Sequence, residues 1–297
     1  MKHQDTFKDV AKQISTATGK HFEPLVAQPI TGGDINSAFR LQGGEQSYFV
    51  KLNRPQLLDM FEAEQAGLHE LAASQTLRVP LPIVSGKTEG HAFLVMEHIV
   101  WGANTSTTSR LLGQQLALMH QPQQAYFGWH RDNTIGSTPQ SNRQHADWPT
   151  FWRDQRLGVQ LNLAKANGYG GRLQSLGEQL CGHINAFFSS YHPTPSLLHG
   201  DLWGGNTAVD QQGRPVIFDP ACYYGDRETD LAMTELFGGF DRDFYAAYQS
   251  AWPVDPGFST RKILYNLYHI LNHLNLFGGG YARQAESQLA KLLSEIK

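Results

Sequence analysis

The segment at residues 197–220, LLHGDLWGGNTAVDQQGRPVIFDP, gathers oxygen-bearing side chains in an order suited to phosphoryl transfer. Asp201 is followed five positions later by Asn206, and a second carboxylate, Asp219, closes a short apolar strand. Transfer from ATP needs one carboxylate to orient the acceptor hydroxyl. It also needs an amide oxygen and a second carboxylate to hold magnesium against the phosphates. Gly204 and Gly205 permit a tight loop between Asp201 and Asn206. Residues 207–209, the turn DQQG and residues 216–218 read as a hairpin that returns Asp219 beside Asn206, where both can share a hard cation. HGD alone is an ordinary helix cap and DQQG an ordinary turn; the Asn and second Asp at this spacing turn the reading toward a kinase-like enzyme.

The rest of an ATP site has candidates upstream. Lys51 lies in FVKLN, a strand from which a lysine can reach the α- and β-phosphates as a point charge. Glu64, on the next helix, is expected to pair with it, because it shares a face with Phe61 and Leu68; Glu62, two positions away, faces elsewhere. The turn at Gly32 and Gly33 can lie over phosphates through backbone N–H groups. GGDINS is neither a Walker motif nor a full G-x-G-x-x-G. Met96, Glu97, His98 and Ile99 end the strand FLVMEHI where a link between lobes should begin, and their backbone groups are expected to bind adenine.

Downstream, DRETD places Asp226 and Glu228 as expected contacts to an acceptor's amine or hydroxyls, and Asp230 as an anchor for the catalytic-loop backbone. First-turn acids favoured by the helix dipole are the plainer alternative for this cluster. Trp203 and His273 complete the expected acceptor contacts. The tail around His273 offers Tyr265, Tyr268, His269, Asn272 and Asn275, neutral hydrogen-bonding groups suited to a sugar rather than to a polycation.

The elements that must position these residues divide in two. Up to HAFLVMEH the order is strands at 25–30, 39–41 and 47–53, a helix in DMFEAEQAGLHELAA, then two extended segments, which describes a small α+β lobe. Beyond Trp101 the periodicity is helical, with amphipathic runs at 109–120, 151–166, 173–191, 262–276 and 282–296. The expected units are a nucleotide-binding lobe, 1–98, and a catalytic and acceptor-binding lobe, 99–297. FGWHRDNTIGSTPQSNRQHADW (127–148) reads as a long aromatic and polar loop, a length that often serves function.

Composition narrows the partners. The 297 residues carry a net charge of −3, which gives no reason to expect nucleic acid or an anionic membrane. The start is polar with Phe7, Val10 and Ile14 at helix spacing, and no apolar run would span a bilayer. Cys181 and Cys222 are too few for a disulfide framework and point to a reducing cytoplasm.

HGDLWGGN, IFDPACYYGDRETDLAM and LYHILNHLNLFGGGY, with FVKLN, MFEAEQAGL, LVMEHI and FGWHRDNTIGSTPQ, resemble the fructosamine kinase, or ketosamine-3-kinase, family from about residue 25 to the C-terminus. The resemblance implies a two-lobed α+β protein-kinase-like fold close to aminoglycoside phosphotransferases. It implies MgATP-dependent phosphorylation of a sugar hydroxyl on a ketosamine, free or protein-bound, which destabilises the adduct and releases the amine. By the same resemblance, Asp201 is the hydroxyl-orienting residue, Asn206 and Asp219 bind magnesium, Lys51 and Glu64 clamp the phosphates, and 96–99 is the adenine hinge. Asp34 stands where some family members have a glycine-loop cysteine, so a thiol switch there is absent. The rival readings are a kinase of aminoglycoside or choline type and a catalytically inactive binding module; the intact Lys51, Asp201, Asn206 and Asp219 argue against the second.

Overall fold

The computed structural model describes residues 4–31 and 35–296; Gly32, Gly33 and Asp34, expected over the phosphates, lie outside the described residues. Helix α1 (Gln4–Thr18) precedes strands β1 (Val26–Ile30), β2 (Ser37–Gly43) and β3 (Gln46–Asn53). Helix α2 (Leu58–Ala73) and strands β4 (Pro82–Lys87) and β5 (Ala92–Glu97) follow. The five strands form one antiparallel sheet in the order β1-β2-β3-β5-β4.

Strand alternation decides what each face of the sheet does. Val50 and Leu52 of β3, with Phe93 and Val95 of β5, turn toward Phe7, Val10 and Ile14 of α1 and form one buried cluster. The intervening residues face α2, where Leu94 and Met96 meet Phe61, Leu68 and Leu71. Burying each of these α2 side chains contributes about 2 kcal/mol. The sheet thus carries a helix on each face, α1 in addition to the expected α2. Lys51, between Val50 and Leu52, is delivered to the α2 side.

The second half is mainly helical. It contains α3 (Ser106–His120), α4 (Trp148–Trp152), α5 (Gly158–Ala166), α6 (Arg172–Gly182), α7 (Glu228–Leu236), α8 (Arg242–Ala251), α9 (Phe258–Phe277) and α10 (Tyr281–Glu295). Helix α9 is buried along most of its length and packs against α5, α7 and α10. Among the described residues no helix is long and apolar enough to cross a membrane.

Three expectations change. The run 173–191 is not one helix: α6 stops at Gly182 and a tighter turn, Ile184–Phe188, follows. The run 151–166 is interrupted by a wide π-type turn, Arg153–Leu157, that carries Arg156 inward. There Arg156 donates to the Ser141 carbonyl (2.6 Å) and Asn142 Oδ1 (2.8 Å) and lies over the Tyr223 ring at 4.1 Å. The long loop 127–148 contains a hairpin, β6 (Asn133–Ile135) and β7 (Thr138–Gln140).

Candidate active site

The chain enters the catalytic segment from β8 (Ser196–Leu198), which pairs antiparallel with β11 (Tyr223–Gly225). His199 is fully buried, and burial lowers its pKa. The Asp201 N–H donates to its Nδ1 (3.2 Å), which leaves Nε2–H to donate to the Phe218 carbonyl (2.9 Å). Gly200 has φ +82°, and a Cβ there would sit 2.1 Å from the Ala221 carbonyl oxygen, so only glycine fits. Gly205 has a different reason from the expected loop bend. Its Cβ would meet the Trp203 ring at 2.3 Å, so the glycine makes room for an indole.

The loop is tied down from below by Asp230. Its buried carboxylate accepts from His199 N (2.8 Å) and Gly200 N (2.9 Å), with His120 Nε2 at 3.2 Å. Burial alone would raise its pKa, but these hydrogen bonds, His120's foremost, hold it below the usual carboxylate range. Asp230→Ala should therefore cost on the order of 3 kcal/mol, the penalty for orphaning buried N–H groups. A urea-denaturation midpoint unchanged from wild type would refute this anchor.

Strands β9 (Thr207–Val209) and β10 (Pro215–Ile217) form the expected hairpin. The Phe218 N–H donates to the Asn206 carbonyl (3.1 Å), which brings the following residue, Asp219, back beside the loop. Asp219 takes φ +58°, a left-handed conformation that Asp tolerates better than most side chains. Lys51 Nζ reaches Glu64 Oε1 and Asp219 Oδ1, each at 2.6 Å. Burial would lower the lysine's pKa, yet the two carboxylates outweigh it and keep the ammonium charged. Glu62 is exposed on the far side of α2, so Glu64 is the partner.

Asn206 Nδ2 donates to the Asp201 carbonyl (2.8 Å) and to Asp201 Oδ2 (3.1 Å). Burial, and then the neighbouring Asp219 carboxylate, push the Asp201 pKa up to about 7, against the Asn206 hydrogen bond. Lys51, Glu64, Asp201, Asn206 and Asp219 all border one cavity of about 610 Å³. Trp203 and His273 line it too, as do Asn133–Gly136 from the loop 127–148, His269 and Asn272.

Other expected residues lie elsewhere. Asp226 is buried, accepting from the Tyr191 and Tyr265 hydroxyls (2.9 and 2.5 Å) and from the Glu228 N–H (3.0 Å). Glu228 is fully buried and held by Arg261 at 2.7 and 3.0 Å. Neither carboxylate borders the cavity, so their assignment as acceptor contacts is corrected: long-range partners on α9 consume both. Glu228→Ala should cost about 3 kcal/mol as a broken buried pair, while the acceptor KM stays within about twofold of wild type. A large KM increase in a stably folded variant would restore the discarded role.

Met96–Ile99 do not line this cavity. Glu97 turns its side chain to Arg78 (2.6 Å), and its N–H donates to the Leu81 carbonyl (2.8 Å). Phe237 and Tyr281 were missed from sequence as cavity residues, and Asn133–Gly136 were not singled out within the loop 127–148, whose length alone marked it for function.

The donor set suits a magnesium ion. Asn206 turns its nitrogen toward Asp201, which presents Oδ1 on the other side, and Asp219 keeps one oxygen beyond its lysine. Among the described residues no group of three or more His, Cys, Asp or Glu would hold a metal by itself. Magnesium typically takes only one or two carboxylates and completes its shell with water and phosphate oxygens.

A family model described as "Fructosamine kinase" matches residues 6–295. The chain is 48% identical over 288 residues to a "Probable ketoamine kinase" of Synechocystis sp., covering 97% of each. It is 40% identical over 293 residues to a chloroplastic "Protein-ribulosamine 3-kinase" of Oryza sativa subsp. japonica, covering 98% of this chain and 85% of that protein. A solved structure from Haemophilus somnus, described as "Putative fructosamine-3-kinase", superposes with a TM-score of 0.89 at 28% identity, covering 97% of each chain. Aminoglycoside phosphotransferase APH(4)-Ia shares the fold alone, with a TM-score of 0.62 at 15% identity over 96% of this chain and 98% of that one.

Proposed function

The chain belongs to the fructosamine kinase family, and from that premise we propose how its cleft carries phosphate from ATP to a sugar hydroxyl of a ketosamine. The observation that supports this most is the convergence of Lys51, Glu64, Asp201, Asn206 and Asp219 on one cavity. In this reading residues 1–98 hold the nucleotide and 99–297 hold the acceptor. Adenine meets the main chain of Met96–Ile99. Lys51, fixed by Glu64, draws the α- and β-phosphates into line. Asn206 and Asp219 would hold magnesium, which neutralises charge on the phosphate oxygens when bound.

Asp201 accepts a hydrogen bond from the sugar hydroxyl and aims its oxygen at the γ-phosphorus. The new O–P bond forms as the bond to ADP breaks, and the hydroxyl proton passes to the Asp201 carboxylate. The transition state is loose, so Asp201 contributes mainly by position. Trp203, His273 and the Asn133–Gly136 segment form the acceptor wall. His269 is buried and neutral, its pKa driven down to about 3 by burial, so the wall offers polar groups without positive charge.

The acceptor is a ketosamine, free or protein-bound, and phosphorylation labilises the adduct. An aminoglycoside or choline acceptor fits less well. Among the described residues the carboxylates bordering the cavity are Glu64, Asp201 and Asp219, and each already has a role, which supports a neutral sugar over a substrate carrying several ammonium groups. Two free thiols suit work in a reducing cytoplasm. The test is ADP release from ATP and magnesium with and without a ribulosamine or fructosamine. ADP should form in step with ketosamine consumed; equal ADP without acceptor, or preference for an aminoglycoside, would overturn the reading.

A further inference from the structure

A second cavity, of about 360 Å³, borders the same catalytic loop at Gly204 and Thr207. It neighbours the first along the chain. Trp203 and Phe237, their rings 6.1 Å apart, line the first cavity, whereas Gly204 and Gly239, one and two residues further on, line the second. Leu112, Val209 and Phe244 give the second cavity an apolar floor, and Trp101, 50% exposed, stands at its edge. Asn104, Thr108 and Thr207 add amide and hydroxyl groups.

The charges exclude most ligands. Among the described residues no Lys or Arg lines this groove, and the one carboxylate that does, Asp241, already accepts from Ser109 and from the Phe244 N–H (3.0 Å). The helix starts that reach it are capped from within, α3 by Thr105 and α8 by Asp241, so it offers no anion site. What remains is a groove with amide and hydroxyl groups beside the apolar Leu112, Val209 and Phe244, a mixed surface of the kind that holds an uncharged stretch of extended chain.

We propose that this groove receives the polypeptide flanking a glycated lysine whose sugar occupies the first cavity. Continuity carries the assignment: the sugar's amine is the lysine nitrogen, and the consecutive residues Trp203 and Gly204 border the sugar cavity and the groove. The proposal rests on the ketosamine reading and adds to it where the carrier binds.

The test compares a ribulosamine-modified ten-residue peptide with Nα-acetyl-lysine carrying the same ribulosamine. Wild type should show the lower KM for the peptide. Trp101→Ala, which removes one wall, should raise the peptide KM by about fivefold or more, a loss of roughly 1 kcal/mol. The KM values for the small ketosamine and for ATP should stay within about twofold. Equal effects on both acceptors, no effect on either, or a shift confined to ATP would overturn the groove while leaving the ketosamine reading intact. A wild type that phosphorylates neither acceptor overturns the ketosamine reading and the groove with it.

Discussion

Replacing Asp201 with Asn should lower turnover about 10³-fold, the usual weight of a positioned acid–base group, and leave MgATP affinity within about threefold. Asn keeps the shape and can still accept from the Asn206 amide, so the loop geometry defined by His199, Gly200 and Asp230 survives. What is lost is the carboxylate that orients the acceptor hydroxyl and takes its proton. Because Lys51 and Asp219 form an ion pair that does not include Asp201, the nucleotide contacts persist. Calorimetric ATP binding beside steady-state turnover decides it: nucleotide binding lost together with activity would place Asp201 among the nucleotide contacts instead.

Asp219→Ala should be more damaging, with turnover reduced on the order of 10⁴-fold, since both phosphate clamp and metal ligation are required together in such enzymes. Two physical changes combine. Lys51 loses one of its two carboxylates and keeps only Glu64. Asp201 loses the neighbouring negative charge that helps raise its pKa, so a carboxylate remains there without a cation to share. The distinguishing readout is ATP affinity with and without magnesium. Wild type should bind more tightly with the ion, and the variant should show no difference; magnesium still tightening ATP in the variant would remove Asp219 from the ligand set.

The parts of the molecule legible in sequence were those whose signal is local. Alternation in residues 47–53 marked β3 and an apolar run in 91–97 marked β5, and one sheet face buries Val50, Leu52, Phe93 and Val95 against α1. The Lys51–Glu64 pair followed from helix spacing, since Glu64 sits above Phe61 and below Leu68 on the buried face of α2. The hairpin 207–217 followed from its turn residues. Asp226 and Glu228 misled because their partners, Tyr265 and Arg261, stand 39 and 33 residues away, and nothing local tells a capped surface acid from a buried one. The hairpin at 133–140 escaped because its three-residue strands bury polar groups. Asn133 accepts from Gln140 and Asn142 (2.8 and 2.9 Å), a network that reads as loop in a hydrophobicity pattern.

The most direct measurement is phosphorus-31 NMR of the product formed from ATP, magnesium and a ribulosamine. A single phosphomonoester resonance coupled to one sugar proton, appearing as ADP accumulates and absent with Asp201→Asn, is the predicted result. Inorganic phosphate as the only new phosphorus species, or phosphate attached to nitrogen, would contradict transfer to a sugar hydroxyl oriented by Asp201.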